Sequence, residues 1–336
     1  MKIEITRLRS LMLSVLVTAQ IPQHEAEVGA EMILDAELRG HRSHGVRLIR
    51  NVLAEYAAGA DRRSEITRLT ETSVSARVDG GFHLSLFVHR TAIDLAIEKA
   101  RQSGVGLVGV TNAGVSGQVG YLVERAARAG FVAFSLNTSP LTVVAPGSPV
   151  PSLGTNPLAI AVPLPNAEPI VLDMATSAIP FNQVRRLRDE QKPLPEGVAV
   201  DGTGSPTTDP AAALDADSGR GRILPFGGHR GYGLALMLEL LVAGGVIGRT
   251  GEAKRGPELL EPADFASLYF LYRPALVGEA DAGAAVEALL MELRDQGARI
   301  PGEVSAQRRS FAVAEGNVEI DGSAWAMLKD LAGDPT

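Results

Sequence analysis

Three glycines, Gly104, Gly106 and Gly109, have the spacing GxGxxG that many dinucleotide-binding enzymes use. In those enzymes a strand precedes the glycines and a helix follows them, so that the helix N-terminus meets the pyrophosphate. Here the order is reversed, because residues 91–102 carry a helical apolar stripe and residues 105–110 are typical of a strand. The sequence therefore predicts a helix-to-strand turn at these glycines. A Rossmann fold is excluded, and any dinucleotide must bind by another route.

Apolar periodicity predicts helices and strands on both sides of this turn. The stretches with a helical pattern are 11–17, 25–38, 91–102, 121–129, 230–247, 283–296 and 325–331. The stretches typical of strands are 74–78, 105–110, 131–136, 158–162, 170–172 and 267–272. Polar residues and prolines predict connecting excursions at 61–71 and 183–219. A strand-rich middle between helical regions predicts an α/β fold with a mixed sheet.

The composition argues against several classes of protein. The net charge of -7 disfavours nucleic acid, because an acidic surface repels phosphate backbones. The absence of cysteine excludes disulfides and a cysteine nucleophile, and it fits a cytoplasmic location. The early apolar run from Leu11 to Val17 is too short to span a membrane. The sequence has no metal-ligand pair such as HExxH, so we expect no metal; with the charge and the short apolar run, we also expect no nucleic acid or membrane partner. A small-molecule substrate is implied only by the family resemblance of the motifs below.

His44 is the strongest catalytic candidate among the six histidines. It lies in the segment RGHRSHG, from Arg39 to Gly45, directly after a predicted helix. Imidazole titrates near neutral pH and can therefore give and take back a proton. Reduction of a carbonyl needs such a group, because a proton must reach the oxygen while hydride reaches the carbon.

Other segments could expose backbone amides to an anion. They are Leu153–Pro157, Leu172–Ser177 and Pro225–Gly233, the last leading into an apolar helix whose N-terminus suits a negative charge. Taken alone, each is equally typical of an ordinary loop. Pro301–Glu303 taken alone is typical of a surface turn.

Together these segments resemble the type-2 malate/L-lactate dehydrogenase family. The matching pieces occur in family order over nearly the whole chain, and the most specific are SHG, LGTNP, DMATS and TTDP. The resemblance implies a homodimeric oxidoreductase that uses NADH or NADPH to reduce 2-oxo acids or cyclic imines. It also implies a non-Rossmann α/β fold, with a mixed, mostly antiparallel cofactor-binding sheet and a helical substrate and dimerisation domain.

The resemblance further implies a division of the chain and a set of site residues. Residues 1–75 would form the helical domain with the SHG motif and pack with 285–336, and residues 76–284 would form the cofactor domain with an excursion at 183–222. His44 would be the catalytic acid and base, assisted by Ser43, and Thr155 would border the substrate. The expected cofactor-binding residues are Ser139, Asp173, Met174, Ala175, Arg230, Gly231, Pro301, Gly302 and Glu303.

The departures from the family pattern are concentrated among the substrate residues. Val115 stands where the family usually has a histidine, and Leu48 stands where it usually has a carboxylate-binding arginine. Arg47 and Arg50 flank that position, although one residue along a helix turns a side chain by about 100°. Val52 replaces a usual tyrosine. We therefore hypothesise that the substrate lacks the usual free 2-oxo carboxylate or presents it differently, as a C=N compound or a specialised biosynthetic intermediate would.

Two other functions remain open at this point. The first is a non-redox descendant that binds a ligand or partner on the same scaffold, which Val115 favours and the retained His44 and cofactor loops disfavour. The second is a hydrolase or isomerase with His44 as its base. The chain has neither a nucleophile elbow nor a metal-ligand pair, which disfavours that second alternative.

Overall fold

The computed structural model describes residues 1–165, 167–216, 218–250, 265–278 and 282–333. Residues 251–264, which belong to the predicted cofactor domain, and the last three residues of the predicted 285–336 segment lie outside the described residues.

The two ends of the chain pack together. The N-terminal elements are β1 (Lys2–Glu4), α1 (Ile5–Thr18), α2 (Gln23–Leu38) and α3 (Leu48–Ala58), followed by a 3-10 turn at Ala60–Arg62. Near the C-terminus, α8 (Ala282–Asp295) and α9 (Glu303–Glu315) precede β11 (Asn317–Glu319) and α10 (Gly322–Ala332). Strand β1 pairs with β11, while α1 packs against α10 and α2 against α9. One buried apolar cluster continues from these helices into the central sheet, so the division into two domains stays a prediction.

A seven-stranded mixed sheet forms the centre of the molecule. Its strands are β2 (Thr67–Glu71), β3 (Ser75–Asp79), β4 (Val105–Thr111), β5 (Val132–Asn137), β8 (Leu158–Val162), β9 (Ile170–Met174) and β10 (Ser267–Tyr272). Their order is β2-β3-β4-β10-β5-β8-β9, and the β3–β4 pair is parallel while the other pairs are antiparallel. A separate pair joins β6 (Leu141–Val144) to β7 (Pro151–Gly154). The predicted mixed, mostly antiparallel sheet is confirmed.

Helices cover both faces of this sheet. Helices α4 (Ser85–Ser103) and α5 (Val119–Arg128) pack on one face, and α7 (His229–Leu238) continues as a π-helix (Glu239–Ile247) on the other. Helix α6 (Phe181–Asp189) lies within the predicted excursion.

Several predicted boundaries were wrong. Residues 61–71, predicted as an excursion, contain the edge strand β2, whose five residues are all exposed and so carry no apolar alternation. The helices predicted from residues 11 and 91 each begin six residues earlier, at Ile5 and Ser85, and neither has a side-chain cap that marks its start. Apolar periodicity reports neither an exposed strand nor an uncapped helix start.

The continuous helix formed by α7 and its π-helical extension is long and apolar enough to cross a membrane, by length and composition alone. Within this chain 39% of that stretch is buried. Val242, Ala243 and Val246 are buried, and the extension packs against β4 and β10. A core helix passes the same length test, and the packing favours that interpretation.

The GxGxxG glycines serve packing between a helix and a strand. Gly104 ends α4 in the left-handed conformation at φ 80°, which glycine adopts without strain. Gly106, in β4, lies so close to α4 that a Cβ atom there would be 2.1 Å from the carbonyl oxygen of Ala96. The predicted helix-to-strand turn is therefore confirmed.

We expect Gly106→Ala to destabilise the protein by about 2 kcal/mol or more, because the neighbouring atom is backbone and cannot move aside. Thermal and urea unfolding measure the effect. Gly322→Ala is the matched control, since a Cβ atom at Gly322 meets nothing within 4 Å. Equal unfolding midpoints for the two variants would contradict the packing role.

Candidate active site

A clamped turn between α2 and α3 presents His44. The His41 amide donates to the Ala36 carbonyl at 2.9 Å, and the His44 and Gly45 amides both donate to the His41 carbonyl, at 2.8 and 3.0 Å. The Val46 amide donates to the buried carboxylate of Glu37 at 2.9 Å. The turn is therefore anchored at both ends to α2.

The environment of His44 keeps its ring neutral. Burial, assisted by the nearby His41, lowers the pKa of His44 to about 4. The Oγ atom of Ser43 lies 3.0 Å from Nδ1 of His44, within hydrogen-bonding distance. Nε2 is thus left to meet another group. Such a ring can accept a proton at neutral pH and return it.

His44 opens into a cavity of about 440 Å³, here called the first cavity. Its walls also include these residues predicted from the sequence: Ser43, Val115, Ser139, Thr155, Asp173, Met174 and Ala175. The structure therefore brings together residues separated by more than 130 positions in the chain.

Asn156 explains why the LGTNP segment has its shape. Its Oδ1 accepts a hydrogen bond from the Ser139 amide at 3.2 Å, and its Nδ2 donates to Glu239 at 3.0 Å and to the Ala235 carbonyl at 3.1 Å. Beside it, the hydroxyl groups of Ser139 and Thr155 lie 3.0 Å apart. A buried amide thus fixes two cavity-lining hydroxyls to the helix behind them.

Asp173 lies on β9, the edge strand of the sheet. Its Oδ2 accepts a hydrogen bond from the Gly120 amide in the first turn of α5, at 2.8 Å. The residue is exposed and forms part of the wall of the first cavity. Desolvation of its carboxyl group by the surrounding protein raises the pKa of Asp173 to about 6, and the hydrogen bond from Gly120 opposes that rise.

A second cavity, of about 420 Å³, adjoins the first and shares His41 with it. Its walls are Arg39, His41, Arg299, Ile300, Pro301, Gly302, Val304, Ser305 and Arg308. The 301–303 segment lies against β9, since a Cβ atom at Gly302 would be 2.7 Å from the Val171 carbonyl oxygen. Pro301–Glu303 is therefore the entry to α9 beside the edge strand, and not the isolated surface turn that its sequence alone indicates.

Three arginines, Arg39, Arg299 and Arg308, line the second cavity. Arg39 is buried and already paired, with Asp35 at 2.5 Å and Glu124 at 2.7 Å. Arg299 and Arg308 form no ion pair with any carboxylate in the described part of the chain. Two uncompensated guanidinium groups make the second cavity a favourable place for an anion.

Several predicted residues are not brought to the first cavity. Arg47 is held by Asp321 at 2.8 Å, and Arg50 is exposed and does not line the first cavity. Glu303 pairs with Arg294, also outside the cavity walls. Arg230 is exposed at the start of α7, and the Gly231 amide donates to the Phe226 carbonyl at 3.0 Å. Val52 is buried in the core, so its side chain does not face the substrate side.

Several polar residues that line the cavities were not predicted from the sequence. They are Asn51, Glu55, Arg299 and Arg308, whereas Arg185 was considered for a cofactor 2′-phosphate and lines the first cavity. The signal for the first two was present in the sequence, because Leu48, Asn51 and Glu55 are spaced to share one face of a helix. The arginines carry no such signal, since solvated surface arginines have the same local pattern.

Glu55 is the most unusual of these residues. Burial raises the pKa of its carboxyl group to about 7, and one hydrogen bond, from the Val115 amide at 3.2 Å, opposes the rise. Glu55 lines the same cavity as His44. Val115, whose amide donates to Glu55, stands where the family pattern has a histidine.

Comparison with known proteins agrees with this geometry. The family model described as malate/L-lactate dehydrogenase matches residues 3–329. This chain belongs to the malate/L-lactate dehydrogenase family. It is accordingly an oxidoreductase, and its fold is the non-Rossmann α/β fold of that family.

Individual relatives cover nearly all of this family member. An L-sulfolactate dehydrogenase from Methanocaldococcus jannaschii is 33% identical over 97% of this chain and 95% of the relative. An L-lactate dehydrogenase from Cupriavidus necator is 34% identical over 99% of this chain and 97% of the relative. The solved structure of a delta1-piperideine-2-carboxylate reductase from Pseudomonas syringae superposes with a TM-score of 0.87 at 29% identity, covering 98% of this chain and 99% of the other.

The raised pKa of Glu55 makes a prediction about stability and pH. Between about pH 4.5 and 7 the folded protein holds a proton on Glu55 that the unfolded chain has lost, so this contribution to stability disappears as the pH rises through 7. Glu55→Gln has no carboxyl group to titrate, so its stability does not depend on this proton. From pH 5 to pH 8 we expect the free energy of unfolding of the variant to rise relative to that of the wild type by on the order of 1–2 kcal/mol, a value discounted because the cavity admits water.

Urea unfolding of the two proteins at both pH values measures this difference, with Glu65→Gln, an exposed carboxylate in the same region, as the control. A difference independent of pH would show that Glu55 titrates normally.

Proposed function

We propose that this enzyme reduces a C=O or C=N bond with NADH or NADPH, with His44 as proton donor and acceptor. The observation that carries the proposal is that His44 opens into the same cavity as Asp173, Met174 and Ala175. A proton carrier and the segment expected to hold the cofactor thus border one enclosed space.

The described residues fit a dinucleotide in both shape and charge. The two adjoining cavities, which share His41, can take the two halves of an elongated molecule lying along the edge strand β9. We assign the nicotinamide half to the first cavity, beside Ser139 and Asp173. We assign the adenylate half to the second cavity, where Arg299 and Arg308 would pair with phosphate oxygens.

When bound, the reduced cofactor would supply a hydride to the substrate carbon. His44, after taking up a proton from solvent, would pass that proton to the substrate oxygen or nitrogen, so that C=X becomes CH–XH. In the reverse direction, the neutral His44 ring would accept that proton. Ser43 would hold Nδ1 and leave Nε2 directed to the reacting atom.

The substrate residues favour an unusual compound within this reaction class. Arg47 is committed to Asp321 and Arg50 does not line the cavity, whereas Arg185, from α6, does. Its guanidinium lies 4.7 Å from the ring of Phe181. Arg185 is therefore our candidate for binding a substrate carboxylate, in place of the arginine that Leu48 replaces.

Assembly and location are also proposals. Met237, Leu240 and Leu241 expose about half of their surfaces along α7 and its extension, which supports a homodimer covering that face. Light scattering of the purified protein checks this, and a monomer at micromolar concentration would contradict it. A cysteine-free chain supports a cytoplasmic location.

One observation favours a second function. Val115 lines the cavity and can neither donate nor accept a proton through its side chain, which is compatible with a family member that only binds a ligand. Hydride transfer to any C=O or C=N compound would exclude this alternative. Absence of NADH and NADPH binding would favour it.

Replacing His44 with Gln is expected to lower kcat by about 10²–10⁴-fold, because the proton donor is lost while the size of the side chain is nearly kept. Cofactor affinity, measured by fluorescence titration, should stay within a few-fold. His24→Gln is the control, since His24 is exposed on α2. A kcat within threefold of wild type would remove His44 from the mechanism.

Replacing Arg299 or Arg308 with Ala is expected to raise the Kd for the cofactor by about 10-fold each, because one charge-assisted hydrogen bond to a phosphate is lost. Calorimetric titration with NADH and with NADPH measures the effect and also shows which cofactor is preferred. Arg9→Ala, at an exposed arginine on α1, provides the comparison. Unchanged affinity in both cavity variants would place the adenylate half elsewhere.

A further inference from the structure

One face of α3 forms part of the wall of the first cavity. Leu48, Asn51 and Glu55 are spaced three and four residues apart, and all three line the cavity that contains His44. The arginines of the same segment are directed elsewhere, Arg47 to Asp321 and Arg50 to solvent. This wall therefore offers the substrate one apolar side chain, one amide and one carboxyl group.

The carboxyl group of Glu55, a half-buried residue in the cavity wall, has few partners within the protein. It accepts one hydrogen bond, at 3.2 Å from the Val115 amide, although a carboxylate can accept about four. By contrast, buried Glu25 accepts from Leu84 at 2.9 Å and contacts His83 at 2.8 Å. Buried Glu124 pairs with Arg39 and Arg128. Glu25 and Glu124 thus have strong partners. Glu37 also accepts a single backbone hydrogen bond, from the Val46 amide at 2.9 Å, but unlike Glu55 it does not line the cavity.

Glu55 has no cationic partner among the residues in the described ranges. Its side chain forms no ion pair there, and the neighbouring cavity walls from Leu48 and Val115 are apolar. An uncompensated carboxylate in such a place is costly, and burial raises its pKa accordingly. A ligand that brings a positive charge or an N–H donor would remove that cost.

We propose that Glu55 determines substrate specificity by binding a protonated nitrogen of the substrate. This inference rests on the proposed reductase function and names its substrate class: an oxo or imino compound that carries a cationic nitrogen. With Arg185 on another wall of the same cavity, the enzyme offers a negative and a positive group at once. A zwitterionic substrate, with a carboxylate and a protonated nitrogen, satisfies both.

Two kinds of compound supply this nitrogen. In a cyclic imine carboxylate it is the C=N nitrogen itself, which holds its proton before hydride transfer, so that His44 need not supply one to this compound. In an amino-2-oxo acid it is a separate ammonium group. Two matched substrate pairs distinguish them. The first pair is a six-membered cyclic imine-2-carboxylate and the uncyclised 2-oxohexanoate. The second pair is 4-amino-2-oxobutanoate, which stays open because its ring closure would be strained, and 2-oxopentanoate.

The test compares kcat/KM for both pairs in the wild type, Glu55→Gln and the control Glu65→Gln at pH 7. We expect the wild type to prefer the cationic member of at least one pair by 10-fold or more. Glu55→Gln should lose about 10-fold of that preference while its kcat/KM for the neutral member stays within threefold. Glu65→Gln should keep the wild-type preference. The pair that responds identifies the kind of nitrogen.

A structural role for Glu55 predicts a different result. If Glu55 merely holds the Val115 loop, Glu55→Gln lowers kcat/KM equally for charged and neutral substrates, and the proposal is overturned. A wild type without preference in either pair overturns it as well. Glu55→Asp, which keeps the charge, should retain more of the preference than the Gln variant, and thermal melting verifies that each variant is folded.

Failure of the proposed function gives a separate outcome. If the wild type transfers hydride to none of these compounds, calorimetry of the saturated ammonium compound 4-aminobutanoate against pentanoate still tests Glu55. Tighter binding of the ammonium compound to wild type than to Glu55→Gln supports the cation site without the reaction. Equal binding of both compounds to both proteins rejects the site.

Discussion

The hydrogen bond from the Val46 amide to the buried Glu37 carboxylate holds the turn that presents His44. This turn has no room for variation, since a Cβ atom at Gly45 would lie 2.0 Å from Glu37 Oε2. The end of α2 is tied in turn to α5 by the ion pair between Arg39 and Glu124. Helix α5 receives Asp173 at its first turn, so the proton carrier and the edge strand β9 share one buried polar framework.

This framework offers a route by which the protein would bind the proposed dinucleotide without the Rossmann arrangement. The glycines that match the Rossmann pattern serve packing instead, since Gly104 and Gly106 lie where α4 meets β4 and Gly109 faces Val246 on the other face of the sheet. The cavities lie instead at the β9 edge of the sheet, between this strand and the N-terminal helices. A glycine pattern therefore has meaning only together with the elements on either side of it.

Sequence reasoning located the parts of the structure that depend on local chemistry. The strands at 158–162 and 267–272 were predicted with the bounds that the structure has, because each is an apolar run between turns. The edge strand β2 was missed because its residues are all exposed. Arg47 was offered as a substrate ligand, but it pairs with Asp321, 274 residues away, a contact that no local pattern reports. The helical spacing of Glu55 with Leu48 and Asn51 was visible in the sequence, but its position in a cavity wall and its lack of a charged partner are tertiary features.

The most direct test of the account is a crystal structure of the protein with NADH or NADPH bound. We predict the nicotinamide ring in the first cavity, in contact with His44, and the adenylate phosphates in the second cavity beside Arg299 and Arg308. A dinucleotide found away from both cavities, or a nicotinamide ring out of reach of His44, would contradict it.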